Sequence, residues 1–286
     1  METYGKKNPF IDVWKRFKRN KMAVAGLVIF LLMVLTALFA DVIADFETQA
    51  IRQNIPNRLQ GPSAEHWFGT DEFGRDIFAR IVHGTRVSLE VGVVAVGIAL
   101  LTGGFFGALA GFYGGRTDNI IMRVMDIFLA IPGILLAIAI VSAIGSSMVN
   151  LMIAVGISNM PIYARTLRAS VLSVKDMEFV EASKAIGASN ATILISHIIP
   201  NSLAPVIVQA TLGVAGAILA TAALSFIGLG IQPPNPEWGA MLSSGRAFMR
   251  DHPHVVMFPG LSIMLTILVL NTLGDGLRDA LDPRLK

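Results

Sequence analysis

Six long apolar runs, separated by polar segments, dominate the chain. A helix of about 20 apolar residues crosses a bilayer core, so the pattern predicts an all-α polytopic membrane protein with six transmembrane helices. They are expected at Met22–Ala44, Val87–Tyr113, Ile120–Ile144, Val149–Leu167, Leu203–Leu229 and Val255–Leu273. The first run exceeds the roughly 7–15 apolar residues of a signal peptide, so we interpret it as an uncleaved span.

The polar segments divide the chain into four parts. These are a cytoplasmic N-terminal amphipathic segment (1–21), the first transmembrane helix (22–44), an extracytoplasmic segment (45–86) and a core with five further helices (87–286). In the first part, Phe10, Val13, Trp14 and Phe17 recur at helical spacing after a capping residue, Asn8. Basic residues lie opposite, which predicts a helix on an anionic leaflet. A disordered basic tail is the alternative.

The distribution of basic residues orients the chain. Of the 23 Lys and Arg residues, sixteen lie in segments that are cytoplasmic if the N-terminus is inside, and seven lie in the opposite segments. The positive-inside tendency therefore places both termini in the cytoplasm. The same orientation makes residues 168–200 cytoplasmic. The basic residues sit at the ends of apolar runs, which indicates membrane orientation rather than nucleic-acid binding.

Composition narrows the function classes. The chain is 53% hydrophobic and 15% charged, whereas a soluble domain carries about 25% charged residues. It has no cysteine, which excludes disulfides and thiolate metal sites. It contains no phosphate-binding loop, zinc-protease motif or nucleophile elbow, which indicates that it is not an enzyme and needs no cofactor of its own. His252 and His254 are too few ligands for a metal site.

Charges are scarce within the predicted spans. Glu90 and Asp126 lie near span ends, and Arg123 is spaced to pair with Asp126 along a helix. This scarcity argues against a proton-coupled pump.

Small residues and prolines mark the second, third and fourth spans. A glycine recurs every four residues along the second span, which predicts a ridge for close helix packing. Pro132 and Pro161 are expected to kink the third and fourth spans. The ridge consists of Gly103, Gly107, Gly111 and Gly115.

Residues 168–200, which we call the elbow, form the one sizeable cytoplasmic protrusion. Met177–Ile186 is predicted to be a helix that Gly187 ends. Ser189 or Asn190 would cap a second helix, and Pro200 is expected to break it before the fifth span. One face of the first helix is mixed in character and either docks a partner or packs back on the bundle. Its members are Phe179, Ala182, Ser183 and Ile186.

The elbow resembles the EAA signature of ABC importer permeases. Glu181-Ala182-Ser183, Gly187 and Ile198-Ile199-Pro200 fall at the spacing of that signature. Ser183 and His197 depart from its usual residues. The resemblance implies that the elbow docks into a cleft on an ATPase subunit. The implied coupling residues are Glu178, Phe179, Glu181, Ala182, Ser183, Ile186, Gly187 and Pro200.

Further segments resemble the dipeptide, oligopeptide and nickel branch of this family. They are residues 66–76 (HWFGTDEFGRD), 228–234 (GLGIQPP), 236–239 (PEWG) and 274–284 (GDGLRDALDPR). The chain is similar to the C-type permease of that branch, which has the architecture of a type I importer. The resemblance implies a subunit that couples ATPase motion to alternating access for dipeptides or short oligopeptides.

The resemblance also implies partners and a location. We expect a second, homologous permease in a heterodimer, two ABC ATPases that bind ATP and Mg, an extracytoplasmic solute-binding protein and membrane lipid, but no nucleic acid. The expected location is the plasma (inner) membrane of a bacterium or archaeon. Nickel, glutathione and opine-like solutes are alternative cargoes. A secondary transporter or channel, and a membrane scaffold or sensor, are alternative classes.

Small or polar residues within the spans are the candidates for a translocation cavity. Asn159 and Asn271 could instead form hydrogen bonds across helices. The candidates are Ser158, Asn159, Gly213, Ala217, Thr221 and Asn271.

Overall fold

The computed structural model describes residues 9–281, apart from the side chains of Pro9 and Phe10. The predicted cap Asn8, the side chain of Phe10 and the last residues of the 274–284 segment lie outside that part. The described chain is helical and contains no β-strand, only an isolated bridge between Thr70 and Asp76. Its α-helices are α1 (Pro9–Phe17), α2 (Lys21–Leu38), α3 (Ala40–Ile43), α4 (Ile77–Tyr113), α5 (Gly115–Leu129), α6 (Gly133–Ile144), α7 (Met148–Val174), α8 (Glu178–Ala185), α9 (Asn190–Thr192), α10 (Ile199–Phe226), α11 (Trp238–Gly245) and α12 (His254–Leu281).

Four helical segments are long and apolar enough to cross a membrane. They are α2, α4, α12 and the continuous helix 190–226, which contains α9 and α10. The bent pair α5 and α6 gives a fifth span if counted as one. The predicted number of six is therefore not reproduced. The helix at the predicted fourth span, α7, is 27 residues long, but Asn150, Asn159 and Arg165 interrupt its apolar character.

Several predicted helix boundaries differ from the structure, including the start of α4 and the course of the third span. Helix α4 starts at Ile77, ten residues before the predicted span, because the Asp76 carboxylate accepts a hydrogen bond from the Ala79 amide at 2.8 Å. The predicted third span is two helices that meet at an angle of 86°. Pro132 precedes the first residue of α6, so the expected kink is a full break. In contrast, α7 runs through Pro161 without ending.

Helices α4 and α7 pack through the predicted glycine ridge. A Cβ atom at Gly103 or Gly107 would overlap the backbone of Met160 or Ala164 on α7. At Gly111 it would lie 2.9 Å from the Val171 Cβ atom. The two backbones therefore approach closely enough for dispersion contacts along several turns. Gly115 does not belong to this ridge, because α4 ends at Tyr113 and Gly115 begins α5.

The N-terminal helix packs on the last one. Phe17 is buried against α12, where a Cβ atom at Gly276 would meet Phe17 and Ala23. The Asn20 side chain accepts a hydrogen bond from the Ala23 amide at 3.1 Å and begins α2. Helices α1 and α2 are thus attached to the bundle through α12. The sequence predicts a helix at this position but not its packing on α12.

Residues 39–76, which we call the outer cap, fold around buried charges. The Asp71 carboxylate accepts hydrogen bonds from the Arg75 guanidinium at 2.7 Å and from the Phe73 amide at 2.9 Å. Arg80, only 4% exposed, donates to the Ala50 carbonyl at 2.8 Å and lies 3.4 Å from Asp71. Buried charges are stable only when paired, so this network fixes the cap on the outer end of α4.

We expect alanine substitutions at two glycines of α4 to have different effects on stability. Gly107→Ala should lower the unfolding free energy by about 1–3 kcal/mol, because the added methyl group overlaps the backbone of Ala164. Gly97→Ala should be neutral or stabilising, since nothing lies within 4 Å of its Cβ position and alanine is the better helix former. Unfolding of the purified protein in detergent measures both. Equal effects would contradict the close packing of α4 and α7.

Candidate functional site

The elbow is a short helix held between two long ones. Helix α7 ends at Val174, a turn follows, and α8 spans Glu178–Ala185. The predicted helix Met177–Ile186 is thereby confirmed to within one residue at each end. Helix α8 is the element on which the predicted coupling residues from Glu178 to Ser183 lie.

Local hydrogen bonds fix the turn after α8. The Gly187 amide donates to the Lys184 carbonyl at 3.0 Å and the Ala188 amide to the Ser183 carbonyl at 3.1 Å. This pattern requires a left-handed residue, and Gly187 has φ +84°. The Ser189 hydroxyl then accepts a hydrogen bond from the Thr192 amide at 3.2 Å and begins the next helix.

The expected break at Pro200 is wrong. Helical structure continues from Asn190 to Phe226. A π-helical segment, Ile193–Ile198, precedes Pro200, and the Ile199 amide bonds the Leu194 carbonyl five residues back. This wider turn accommodates the proline at the start of α10, so the elbow leads into the fifth predicted span without a break.

The two sides of α8 have different environments. Val180 is fully buried and Ser183 is 9% exposed, and the Ser183 hydroxyl donates to the Phe179 carbonyl at 2.8 Å. Ser183 therefore points toward the bundle. The sequence prediction that it shares one face of the helix with Phe179, Ala182 and Ile186 is wrong. The opposite side, which we call the docking face, is exposed, and Ile186 reaches 85% exposure. The docking face consists of Glu178, Phe179, Glu181, Ala182 and Ile186.

An apolar cluster attaches α8 to the bundle. Val180 packs with Val171 and Val174 from α7 and with Ile193 and Ile198 from the helix that follows. The same cluster extends to α4 and α10. A displacement of α8 is therefore transmitted to the long helices, because closely packed side chains deform little.

Two ion pairs connect α5 to the inner half of α7. The Arg168 guanidinium donates two hydrogen bonds to the Asp118 carboxylate, each at 2.5 Å. Arg165 donates to Asp126 at 2.6 Å. The expected pair of Asp126 with Arg123 is replaced by this contact between helices. Because Arg168 is the first residue of the elbow, its ion pair with Asp118 holds α5 next to the start of the elbow.

The structure distributes the cavity candidates over several environments. Ser158 and Asn159 are half-buried and donate to carbonyls of their own helix, those of Ala154 and Val155. Thr221 is 1% exposed and its hydroxyl has no hydrogen-bond partner among the described residues.

The remaining candidates do not share one surface. A Cβ atom at Gly213 would overlap the Tyr163 hydroxyl, and Ala217 lies in the main apolar core. Asn271 is exposed on α12. Close packing is thus a sufficient role for Gly213 and Ala217.

The outer cap and the 230–254 segment both contact the long helices, and they meet where the His254 Nε2 atom lies 3.4 Å from the Thr70 carbonyl oxygen. The Phe68 ring of the outer cap stacks on Phe258 of α12 with centroids 4.1 Å apart, and the Trp238 indole donates to the Ile81 carbonyl at 3.3 Å. Glu237 is 1% exposed and accepts hydrogen bonds from the Gly239 and Ala240 amides, which begins α11. Burial raises the pKa of this carboxyl group, although the two amide bonds oppose the shift.

A polar cavity of about 400 Å³ lies in the outer cap. His66 Nδ1 lies 2.8 Å from the Asp76 carboxylate at its edge. The described residues contain no cluster of three His, Asp or Glu side chains able to hold a metal ion. The cavity lining consists of Thr48, Gln49, Arg52, Gln53, Asn54, Glu65, His66, Gly74 and Asp76.

Two features of the site had no clear signal in the sequence. Val180 is the main anchor of α8, but one valine in a short charged helix does not reveal which side is buried. The Asp118–Arg168 pair joins residues 50 positions apart, and no local spacing indicates such a contact.

Two family models match the chain. Residues 103–286 match the model described as "Binding-protein-dependent transport system inner membrane component". Residues 8–62 match the "N-terminal TM domain of oligopeptide transport permease C". The first match includes α5 to α12 and the elbow, and the second includes α1, α2 and part of the outer cap.

Curated relatives align over nearly the whole chain. A dipeptide transport system permease protein, DppC, from Alkalihalophilus pseudofirmus is 53% identical over 285 residues, which are 100% of this chain and 93% of that protein. A glutathione transport system permease protein, GsiD, from Escherichia coli is 46% identical over 280 residues, 98% and 92% of the two chains.

Solved structures share the fold. A chain of the MetNI methionine ABC transporter in an inward-facing form aligns with a TM-score of 0.58 and 17% identity, covering 71% of this chain and 96% of that one. A chain of an amino acid ABC transporter with histidines aligns with a TM-score of 0.54 and 14% identity, covering 70% and 94%. At these identities the likeness concerns the helical architecture alone.

The Asp118–Arg168 pair should contribute measurably to stability. In a double-mutant cycle with Asp118→Asn and Arg168→Gln, we expect a coupling energy of about 1 kcal/mol, because the contact is bidentate and partly buried. The cycle with Asp126→Asn and Arg165→Gln is the control. Its partners are 58% and 54% exposed, so its coupling should be smaller. Unfolding midpoints measure both cycles, and stronger coupling in the exposed pair would refute the assignment.

Proposed function

Because the chain belongs to the family of binding-protein-dependent transport system inner membrane components, we propose that it carries dipeptides or short oligopeptides into the cell. It is a multi-pass membrane permease subunit of an ABC importer. The observation that carries the substrate proposal is its full-length similarity to the dipeptide permease. Glutathione, itself a short peptide, is the second candidate because of the glutathione permease relative. The membrane is the plasma (inner) membrane of a bacterium or archaeon.

The docking face is the proposed contact with a partner ATPase. It combines two carboxylates, Glu178 and Glu181, with the exposed apolar side chains Phe179 and Ile186. Exposed apolar groups next to charges are typical of a protein-binding surface. Gly187 allows the turn that ends α8, Ser183 lies on the buried side of α8, and Pro200 lies where the elbow joins α10.

The elbow transmits force in the proposed mechanism. ATP and Mg bind to two partner ATPases, each of which grips one permease through such an elbow. When the ATPases close, α8 moves with them, and the Val180 cluster carries the displacement to α7 and α10. Coupling requires that the docking face bind the open and closed ATPase states with different affinity.

The proposed assembly contains a second, homologous permease. A cavity between the two permeases would alternate between outward and inward access. Ser158 and Asn159, which are half-buried, remain the better candidates for its lining on this chain. Gly213 and Ala217 have packing contacts that account for them, and Thr221 is only 1% exposed. Asn271 is exposed and could equally face the second permease or lipid.

An extracytoplasmic solute-binding protein is proposed to deliver substrate to the outer surface. The outer cap and the 230–254 segment meet there, because the His254 Nε2 atom lies 3.4 Å from the Thr70 carbonyl oxygen. The polar cavity bounded by Arg52, Glu65 and His66 gives this surface charged and hydrogen-bonding groups. The buried Asp71 network keeps it rigid.

Two changes in the elbow should together prevent docking of the ATPase. Glu181→Lys reverses a charge of the docking face, and Gly187→Val strains a backbone position with φ +84°. We expect at least a ten-fold loss of ATPase that copurifies with the membrane-inserted chain. Glu65→Lys is the control, since Glu65 is exposed on the outer cap. If as much ATPase copurified with the double variant as with the wild type, the proposed docking of the ATPase on the elbow would be refuted.

Uptake by the complete complex in vesicles should require both ATP and the binding protein. When ATP is present on the side of the membrane that holds the ATPases, we expect labelled dipeptide to accumulate on that side. Glutathione and nickel are added as competitors to compare the candidate substrates. Uptake driven by an ion gradient without ATP would favour a secondary transporter. ATPase activity without any transport would favour a membrane sensor.

A further inference from the structure

An apolar cavity lies among α1, α2, α4, α10 and α12. Its volume is about 630 Å³, within the roughly 300–1,000 Å³ of small-molecule sites. The side chains around it are almost all hydrocarbon, including Phe17, Leu27, Leu100 and Leu273. The hydroxyl of Thr211, the single Ser or Thr in the lining, donates to the Ile207 carbonyl at 3.0 Å. The lining therefore suits a hydrocarbon ligand.

The cavity is shorter, along the helix axes, than the hydrocarbon region of one membrane leaflet. Along α12 its lining extends from Leu270 to Leu277, and along α4 from Val93 to Leu100. Each stretch corresponds to about 10 Å of helix, compared with about 15 Å for half of a hydrocarbon core. Trp14 of α1 also lines the cavity. One end of the space therefore lies at α1 and the other toward the middle of α4 and α12.

Positive charge surrounds the end at α1. Lys15, Lys18, Arg19 and Lys21 are exposed. Within residues 9–281, none of these four side chains forms an ion pair with a carboxylate. The Lys18 ammonium lies 4.9 Å from the ring centroid of Trp14, which itself lines the cavity. Lys18 thus lies next to the cavity, and the other three basic residues lie within three positions of it along the chain and are exposed.

We propose that this cavity holds an acyl chain of an anionic phospholipid from the cytoplasmic leaflet, with its headgroup bound by the basic residues of α1. A helix of the second permease is the competing occupant, and a cross-link from Gly97→Cys to such a helix distinguishes it from lipid. The assignment of the leaflet rests on the proposed function, which makes the N-terminus cytoplasmic.

Two glycines allow a matched test of the acyl site. Gly97 lines the cavity, and nothing lies within 4 Å of its Cβ position, so Gly97→Leu should fill the space without disturbing the helix contacts. Gly216 on α10 is equally open but does not line the cavity, so Gly216→Leu is the control. The headgroup site is tested with a triple variant, Lys18→Gln, Arg19→Gln and Lys21→Gln. Arg250→Gln, on the outer side, is its control.

The experiment counts phospholipids bound to the purified importer complex by native mass spectrometry during titration with phosphatidylglycerol or phosphatidylcholine. The wild type should retain phosphatidylglycerol with at least a ten-fold preference. Gly97→Leu should retain at least ten-fold less phosphatidylglycerol than the wild type. The triple variant should bind phosphatidylglycerol and phosphatidylcholine equally. Both controls should behave as the wild type.

Three results would overturn the proposal. They are unchanged retention in Gly97→Leu, no preference for the anionic lipid in the wild type, and a Gly97→Cys cross-link to a helix of the second permease. The lipid count needs no transport, so it is independent of the substrate. Labelling of Lys18→Cys from outside whole cells would instead overturn the orientation in the proposed function, and with it the leaflet assigned here.

Discussion

The close approach of α4 and α7 is the contact on which the rest of the structure depends. In lipid, apolar helices gain little free energy by burying apolar surface against each other, because the lipid tails are equally apolar. They associate instead through dispersion contacts at short distance. Gly103 and Gly107 remove the side chains that would keep the two backbones apart. Because the elbow begins at the end of α7 and its apolar cluster includes Ala108 of α4, this contact also determines where α8 lies.

Helix α8 combines a buried side with an exposed one, and the proposed force transmission needs both. Without Val180 and its neighbours, a partner that pulled on the docking face would only unfold a short helix. An isolated helix of eight residues is not stable in water, so its structure depends on that packing. The exposed Ile186 has the opposite requirement, since it must stay accessible until a partner covers it.

Sequence reasoning succeeded where the signal is local. The glycine spacing, the left-handed Gly187 and the helix that it ends each involve residues within a few turns. It failed where distant contacts decide. Arg80, His83 and Arg86 made the start of α4 look like a polar loop, although each bonds a backbone carbonyl of residues 37–50. Pro200 suggested a break, because the π-helical turn that accommodates it has no marker in the sequence.

The polar groups within the bundle are compatible with the proposed supply of energy by partner ATPases. Ser158, Asn159 and Thr266 satisfy their hydrogen bonds with carbonyls of their own helices, so their bonds need not change when helices move against each other. Such groups permit rocking but do not drive it. The ionic contacts of the described helical bundle lie toward its two ends, at Arg86 and Arg168 for example, where a partner protein can alter them. In the proposed mechanism a bundle built in this way responds to force applied at its surface, and α8 is the exposed element through which we propose that the force enters.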